Sequence, residues 1–181
     1  VSLNYMGVEN ALYTYLYKEV FRVIDNRTHG ENSEQLREIF ESYLDLQNYL
    51  RIVRLKFIHK ESIDVVRSSL LPFGKLHQRH LDALLDAETE EQVAAIARKT
   101  PVGKRFLKNQ GSYAYVEQLM NRTKYKTCRR DIRFSTHPSV VLISYIFLME
   151  IEVGDIITII EGIRYQLAPD EIKSMLTVVD I

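Results

Sequence analysis

The sequence predicts an all-α protein, and three observations support this fold class. Apolar residues recur at three- and four-residue spacing over long stretches, which is the period of an amphipathic helix. No segment alternates apolar and polar residues convincingly over the length of a strand. The 181 residues include only 7 Gly and 4 Pro, which is few for a fold rich in sheets and turns.

The first predicted helix covers residues 4–26 and ends in a polar run that reaches Gly30. A long helix is predicted over 34–58, because an apolar stripe continues through this stretch for about six turns. Asn32 is the predicted N-cap of this helix, with Gln35 as its capping-box partner.

Three shorter helices are predicted next. One covers 62–70 and ends before Pro72-Phe73-Gly74, the first firm break in the chain. A second is marked by leucines at positions 76, 81, 84 and 85. Thr89 and Gln92 then have the spacing of a capping box, which predicts the start of the third helix.

The run Thr100-Pro101-Val102-Gly103 is the predicted boundary between two helical units, at 1–100 and 101–181. Both Gly and Pro interrupt helices, and their combination here separates two periodic stretches. A helix that begins near Tyr113 follows the boundary and becomes basic toward Arg133.

The last third of the chain contains a second long predicted helix, over 139–162. Its apolar run at 140–149 is about half of the roughly 20 residues that a membrane-spanning helix needs, so it predicts a buried helix of a soluble protein. The acids Glu150 and Glu152 follow in the same helical pattern. Pro169 then opens a last short helix, since Pro is favourable in the first helical turn.

The two long helices share a pattern at an offset of 107 residues, as from Asp45 to Glu152. At the same offset the short polar residue Asn48 matches Asp155, and apolar residues match at 46/153, 49/156, 50/157, 52/159 and 53/160. Each long helix is followed by a short break and a short helix. Any two amphipathic helices share a 3.6-residue pattern, which is the alternative explanation, but the common order of elements favours an internal repeat of roughly a hundred residues.

Two segments carry a resemblance to a known family. The first contains Asp45, Asn48, Arg51, Arg54 and Lys56, followed by Leu70-Leu71-Pro72-Phe73-Gly74-Lys75-Leu76. The second contains Tyr145, Glu150, Glu152, Ile159, Gly162 and Pro169-Asp170-Glu171-Ile172. Together they resemble the C subunit of bacterial and archaeal V-type (A/V-type) ATPases, the family that includes the eukaryotic d subunit. Where members of this family usually carry Asn-Leu after the second acid pair, this chain has Gly154-Asp155-Ile156.

The resemblance implies a fold and a role. Members of this family contain three related helical units, so we expect two similar units here, the last two of the three, in a C-terminal fragment that begins at Val1 without Met. The implied role is that of a non-catalytic central-stalk subunit, which couples the rotor shaft to the membrane ring during proton or sodium transport. Its implied partners are the rotor-shaft and ring subunits, and its implied place is the cytoplasmic side of the cell membrane, reached only through the complex.

Composition and motifs agree with a protein that does no chemistry of its own. The chain has 24 basic and 24 acidic residues, without the basic excess that is typical of nucleic-acid-binding proteins. It lacks a glycine-rich phosphate loop, so we expect no direct nucleotide binding, no cofactor and no catalytic residue. Cys128, the single cysteine, lies among basic residues that would favour its thiolate, but a structural role is expected.

Two alternatives remain open at this level. His77 and His80 are three residues apart on one helix face, as in some metal sites, although the glutamate of the HExxH motif is absent. A metal-dependent helical enzyme is therefore one alternative, and a generic soluble helical adaptor is the other. We assign no metal ligand.

Eight polar residues are predicted to contact partners. They lie on the polar edges of the two long helices and on the basic helix: Asp45, Asn48, Arg51, Glu150, Glu152, Asp155, Arg129 and Arg130. Of the two neighbouring acids, Glu150 is the better candidate for a buried or interface acid, because it ends the apolar face. The alternative for each charged group is an ordinary solvated surface position.

Overall fold

The structure is a computed structural model that describes residues 5–76, 78–97, 99–100 and 116–178. Every regular element in these ranges is helical, so the all-α prediction is confirmed. The chain divides into two compact units, Val1–Gln110 and Gly111–Ile181. The predicted boundary after residue 100 stays a prediction, because residues 101–115 are outside the described ranges.

In its described residues, the first unit has five α-helices and one π-helical segment. They are α1 (Tyr5–Arg27), α2 (Gly30–Val53), the π-helical segment (Arg54–Ile58), α3 (Ile63–Ser68), α4 (Gln78–Asp86) and α5 (Glu90–Ala97). The predicted helix over 34–58 is therefore present as α2 and its π-helical extension. Such single π turns often occur at functional sites.

The core of the first unit forms around α2. Tyr17, Phe21 and Ile24 on α1 are buried, and Tyr17 and Phe21 each make edge-on contacts with Phe40 on α2. Further along the chain the most deeply buried side chains are aliphatic: Leu44, Ile52, Val66, Leu84, Leu85 and Val93. Burial of these side chains supplies the main driving force for folding of the unit.

One predicted cap is wrong and one is confirmed. The helix α2 begins at Gly30, two residues before the predicted cap Asn32, because glycine tolerates the positive φ of 56° at which the chain turns into the helix. The Gln35 side chain donates a hydrogen bond to the Glu31 carboxylate at 2.9 Å. At α5, by contrast, the Gln92 N–H donates to the Thr89 hydroxyl at 3.3 Å, as the sequence predicts.

Within residues 116–178, the second unit has three helices: α6 (Val116–Phe134), α7 (Pro138–Arg164) and α8 (Pro169–Met175). The long helix predicted over 139–162 is confirmed as α7, which packs along α6 with Val140 and Ile151 buried. Among the described residues, no helix is both long enough and apolar enough to cross a membrane.

The end of α7 packs closely on α8. A Cβ atom added at Gly162 would lie 2.6 Å from Cγ1 of Ile172, which is closer than van der Waals contact allows. Gly154, two turns earlier on the same helix, has no atom within 4 Å of the equivalent position. The two glycines therefore differ in their surroundings although both lie inside one helix.

This difference predicts opposite responses to alanine. Gly154→Ala should raise the free energy of unfolding by about 0.5–1 kcal/mol, because glycine is the poorer helix former. Gly162→Ala should leave the free energy of unfolding unchanged or lower it, since α8 must move to admit the methyl group. Urea unfolding of both variants, followed by circular dichroism, measures the difference. Equal stabilisation by the two substitutions would show that α8 does not pack closely at Gly162.

Candidate functional site

Asn48 joins α2 to the segment that follows α3. Its side chain is 2% exposed. The Nδ2 group donates to the Leu71 carbonyl oxygen at 2.8 Å, and Oδ1 accepts from the Leu71 N–H at 2.7 Å. Leu71 is outside any helix, so its buried N–H and C=O need partners, and this one amide supplies both.

Asp45 makes a related contact one helical turn earlier. Its carboxylate is 1% exposed and accepts the N–H groups of Lys75, at 3.0 Å, and Leu76, at 3.1 Å. Burial raises the pKa of Asp45 to about 6, while the two backbone N–H groups act in the opposite direction. A Cβ atom at Gly74 would lie 2.0 Å from Oδ1 of Asp45, so the turn passes the carboxylate only because this position is glycine.

These contacts hold the 71–76 turn at both of its ends. Between them lies Phe73, whose φ is +78°, a strained backbone conformation for an aromatic residue. Its ring contacts Phe21 of α1 with 5.7 Å between centroids. Such strain persists only where the surrounding structure determines the conformation. Here the buried side chains of Asp45 and Asn48 do so.

Arg51 connects the same region to α1. Its guanidinium donates to the Ser69 carbonyl oxygen at 2.6 Å and to Oδ1 of Asn10 at 3.0 Å. It also lies 5.6 Å from the ring centroid of Tyr13. Arg51 is therefore a bridge between α1, α2 and the end of α3.

In the second unit Asp155 makes the corresponding contact. Its carboxylate accepts the N–H of Thr177 at 2.9 Å and the N–H of Val178 at 3.0 Å, just after α8. The offset of 107 residues that relates Asn48 to Asp155 also relates Leu71 to Val178. In each unit, a polar side chain on the long helix thus binds the backbone that follows the short helix.

Comparison with known protein families gives a match over most of the chain. The family model described as ATP synthase (C/AC39) subunit matches residues 3–175. The chain belongs to this family. Among curated proteins it is similar to the C subunit of the A-type ATP synthase of Pyrococcus furiosus, with 23% identity over 96% of the chain and 48% of the relative. The chain spans about half the length of this relative, and no solved structure matches it at a significant level.

The structure of this C/AC39 chain corrects part of the predicted partner surface. Asp45 and Asn48 were expected at an exposed polar edge, but both are buried and bonded to the backbone of their own unit. A polar side chain on a long helix can form its hydrogen bonds with water or with the backbone of a nearby non-helical segment. The sequence signal for the second was Pro72-Phe73-Gly74, a helix-breaking segment that closely follows a short helix.

The predicted acids of α7 are on the surface. Glu150 is exposed and pairs with Lys124 at 2.6 Å, so of the expected buried or interface acid only the interface role stays a prediction. The Lys124 ammonium lies 4.1 Å from the ring centroid of Phe147, which adds a cation–π contact. Glu152 is also exposed, two residues further along α7. Asp155 is half-buried and faces the end of the unit.

The basic residues of α6 lie at least partly in solvent. The Arg129 guanidinium stacks over Tyr125 at 5.5 Å, and Arg130 pairs with its neighbour Asp131 at 3.0 Å. Exposed pairs of this kind contribute little to stability. Whether these arginines and the α7 acids contact partners stays a prediction.

The structure bears on Cys128 and leaves the His77/His80 pair untested. Cys128 is buried, and burial raises the pKa of its thiol to about 11, so its basic neighbours do not activate it. His77 is outside the described ranges. In the part of the chain that the structure describes, no three His, Cys, Asp or Glu residues are placed to hold a metal ion.

The raised pKa of Asp45 predicts a specific pH dependence. Because the folded pKa of about 6 exceeds the usual 3.8, the contribution of Asp45 to stability is fully present below pH 4 and is lost as pH rises through 6. Asp45→Asn should remove this loss. Relative to the variant, the unchanged protein should lose about 2–3 kcal/mol of unfolding free energy between pH 4 and 7. Urea unfolding of both proteins across this range measures it.

Asp82 is the matched control for this experiment. It is an exposed acid whose pKa is lowered by its hydrogen bond to Arg67, at 2.7 Å. Its contribution to stability has the opposite pH dependence, since that contribution is present at neutral pH and is lost as pH falls. If Asp45→Asn and Asp82→Asn change the pH profile in the same direction, the environment assigned to Asp45 is wrong.

Proposed function

We propose that this chain forms part of a non-catalytic central-stalk subunit of an A/V-type ATP synthase or ATPase. In this role it couples the rotor shaft to the membrane ring during proton or sodium transport. The observation that carries the proposal is the family match over residues 3–175. The similar protein of Pyrococcus furiosus, which is named as the C subunit of an A-type ATP synthase, gives further support.

The packing of each unit suits a part that transmits force. In the first unit the 71–76 turn is bonded to α2 through Asp45 and Asn48. In the second, Asp155 bonds the backbone after α8 to α7. Close-packed interiors have low compressibility and transmit strain, so a load applied to either long helix is shared by the elements bonded to it.

The proposed partners are the rotor-shaft and membrane-ring subunits of the complex. We place the chain on the cytoplasmic side of the cell membrane, associated with it only through the complex. The exposed charges of α6 and α7 are the proposed contact residues: Arg129, Arg130, Glu150 and Glu152. Exposed charges at an interface mainly determine association rate and register, and their effect falls with salt.

The test is co-purification of rotor and ring subunits with the full-length protein carrying Arg129→Glu and Arg130→Glu. We expect the variant to recover about tenfold less of the ring subunits than the unchanged protein at physiological salt. This difference should shrink as the salt concentration is raised. Circular dichroism and thermal unfolding of the variant should match those of the unchanged protein, because both side chains are at least partly solvated.

Arg22→Glu is the matched control, since the Arg22 side chain is 61% exposed and that of Arg130 is 60% exposed. It should leave recovery unchanged. Full recovery of ring subunits by the double variant at low and physiological salt would remove α6 from the interface. Absence of rotor and ring subunits from the unchanged protein's own purification would contradict the proposed function itself.

A further inference from the structure

The end of α2 changes its hydrogen-bond register. After Val53 the chain continues as the π-helical segment, Arg54–Ile58. The N–H of His59 donates to the carbonyl oxygen of Arg54, five residues back, at 2.9 Å. In an α-helix the same N–H would donate to the carbonyl oxygen of Leu55, four residues back. The chain therefore fits one more residue into this turn than an α-helical turn would hold.

Lys56 lies in the middle of the π-helical segment and reaches α4. Its ammonium donates to the carbonyl oxygen of Leu85, the second-last residue of α4. Leu85 is fully buried. The last four carbonyl groups of an α-helix have no partner within that helix, so this buried carbonyl needs a donor from elsewhere in the structure. Lys56 supplies it.

The helix α4 has no cation of its own at this end. Its last turn contains no basic residue, and the helix ends at the exposed acid Asp86. The carbonyl end of a helix carries a partial negative charge, which a nearby cation stabilises and an acid does not. The ammonium of Lys56 therefore takes the place that a lysine in the last turn occupies in many other helices.

We propose that the π-helical segment is a conformational joint, in which the contact between Lys56 and α4 selects the π register over the α register at the end of α2. Because π turns inside helices are rare, a tertiary contact is needed to keep this one. Movement of α4 away from Lys56 removes the contact, and the end of α2 then returns to the register of the rest of the helix. The register of α2 thus reports the position of α4.

The rival explanation is local. Lys60, directly after His59, has a φ of 55°, and the N–H of Glu61 donates back to the carbonyl oxygen of Leu55 at 2.9 Å. A left-handed residue of this kind commonly ends a helix. If this ending alone determined the π turn, the side chain of Lys56 would have no influence on the register.

The test measures scalar couplings across hydrogen bonds in the whole chain by NMR, because such couplings identify the acceptor of each N–H. In the unchanged protein we expect a coupling from the His59 nitrogen to the carbonyl carbon of Arg54. Lys56→Met retains the apolar stem of the side chain and loses the ammonium. In this variant the coupling of His59 should pass to the carbonyl carbon of Leu55.

The same variant should loosen the end of α4. The N–H of Ala87 closes this helix by donating to the carbonyl oxygen of Ala83 at 3.2 Å. Loss of the Lys56 ammonium should accelerate amide exchange at Ala87 by about tenfold, since a hydrogen bond to a charged group is lost beside it.

Two further variants are the controls. Lys60→Met removes a neighbouring exposed ammonium, and it should leave both the coupling of His59 and the exchange of Ala87 unchanged. Lys56→Arg keeps a cationic donor at the same position and should retain the π register.

Three outcomes would overturn the proposal. They are a coupling from His59 to Leu55 in the unchanged protein, a coupling to Arg54 that persists in Lys56→Met, and an equal effect of Lys60→Met. If Lys56→Met does not fold, the coupling from Nζ of Lys56 to the carbonyl carbon of Leu85 in the unchanged protein decides, and its absence contradicts the proposal. None of these results bears on the proposed stalk function, which the inference does not use.

Discussion

Burial of two polar side chains on one helix determines how the first unit is built. Asp45 and Asn48 lie one turn apart on α2, and together they bond the backbone at Leu71, Lys75 and Leu76. Without Asn48, the N–H and C=O groups of the buried Leu71 would be left unsatisfied, at about 1–3 kcal/mol each. The requirement for Gly74 follows from the same contact, because the turn approaches the Asp45 carboxylate too closely for a side chain. The strained backbone of Phe73 lies between the two bonded ends.

The second unit uses the same type of contact with a different residue. Asp155 binds the backbone at Thr177 and Val178, where the first unit uses Asn48 at Leu71. Asp155 is less buried than Asn48. The partners Leu71 and Val178 are also 107 residues apart, and the internal repeat itself stays a prediction.

The sequence was sufficient for the helices but not for the roles of their polar residues. Apolar spacing predicts α2 and α7 within a few residues, because long amphipathic stripes are strong signals. The start of α2 was missed, since Gly30 at positive φ turns the chain before the expected cap at Asn32. The burial of Asp45 was missed because helical spacing places it at a boundary position, where only tertiary contacts decide between solvent and backbone. The buried contacts fix the interior of the first unit, and the exposed charges of the second unit are left for the proposed partners.

Amide hydrogen exchange at the 71–76 turn tests this account most directly. If α2 holds the turn, the N–H groups of Leu71 and Leu76 exchange as slowly as that of Ile52 inside α2, although they are outside any helix. Asn48→Ala should then accelerate exchange at Leu71 by about tenfold or more. Rapid exchange at Leu71 and Leu76 in the unchanged protein, at the rate of an exposed turn, would contradict the account.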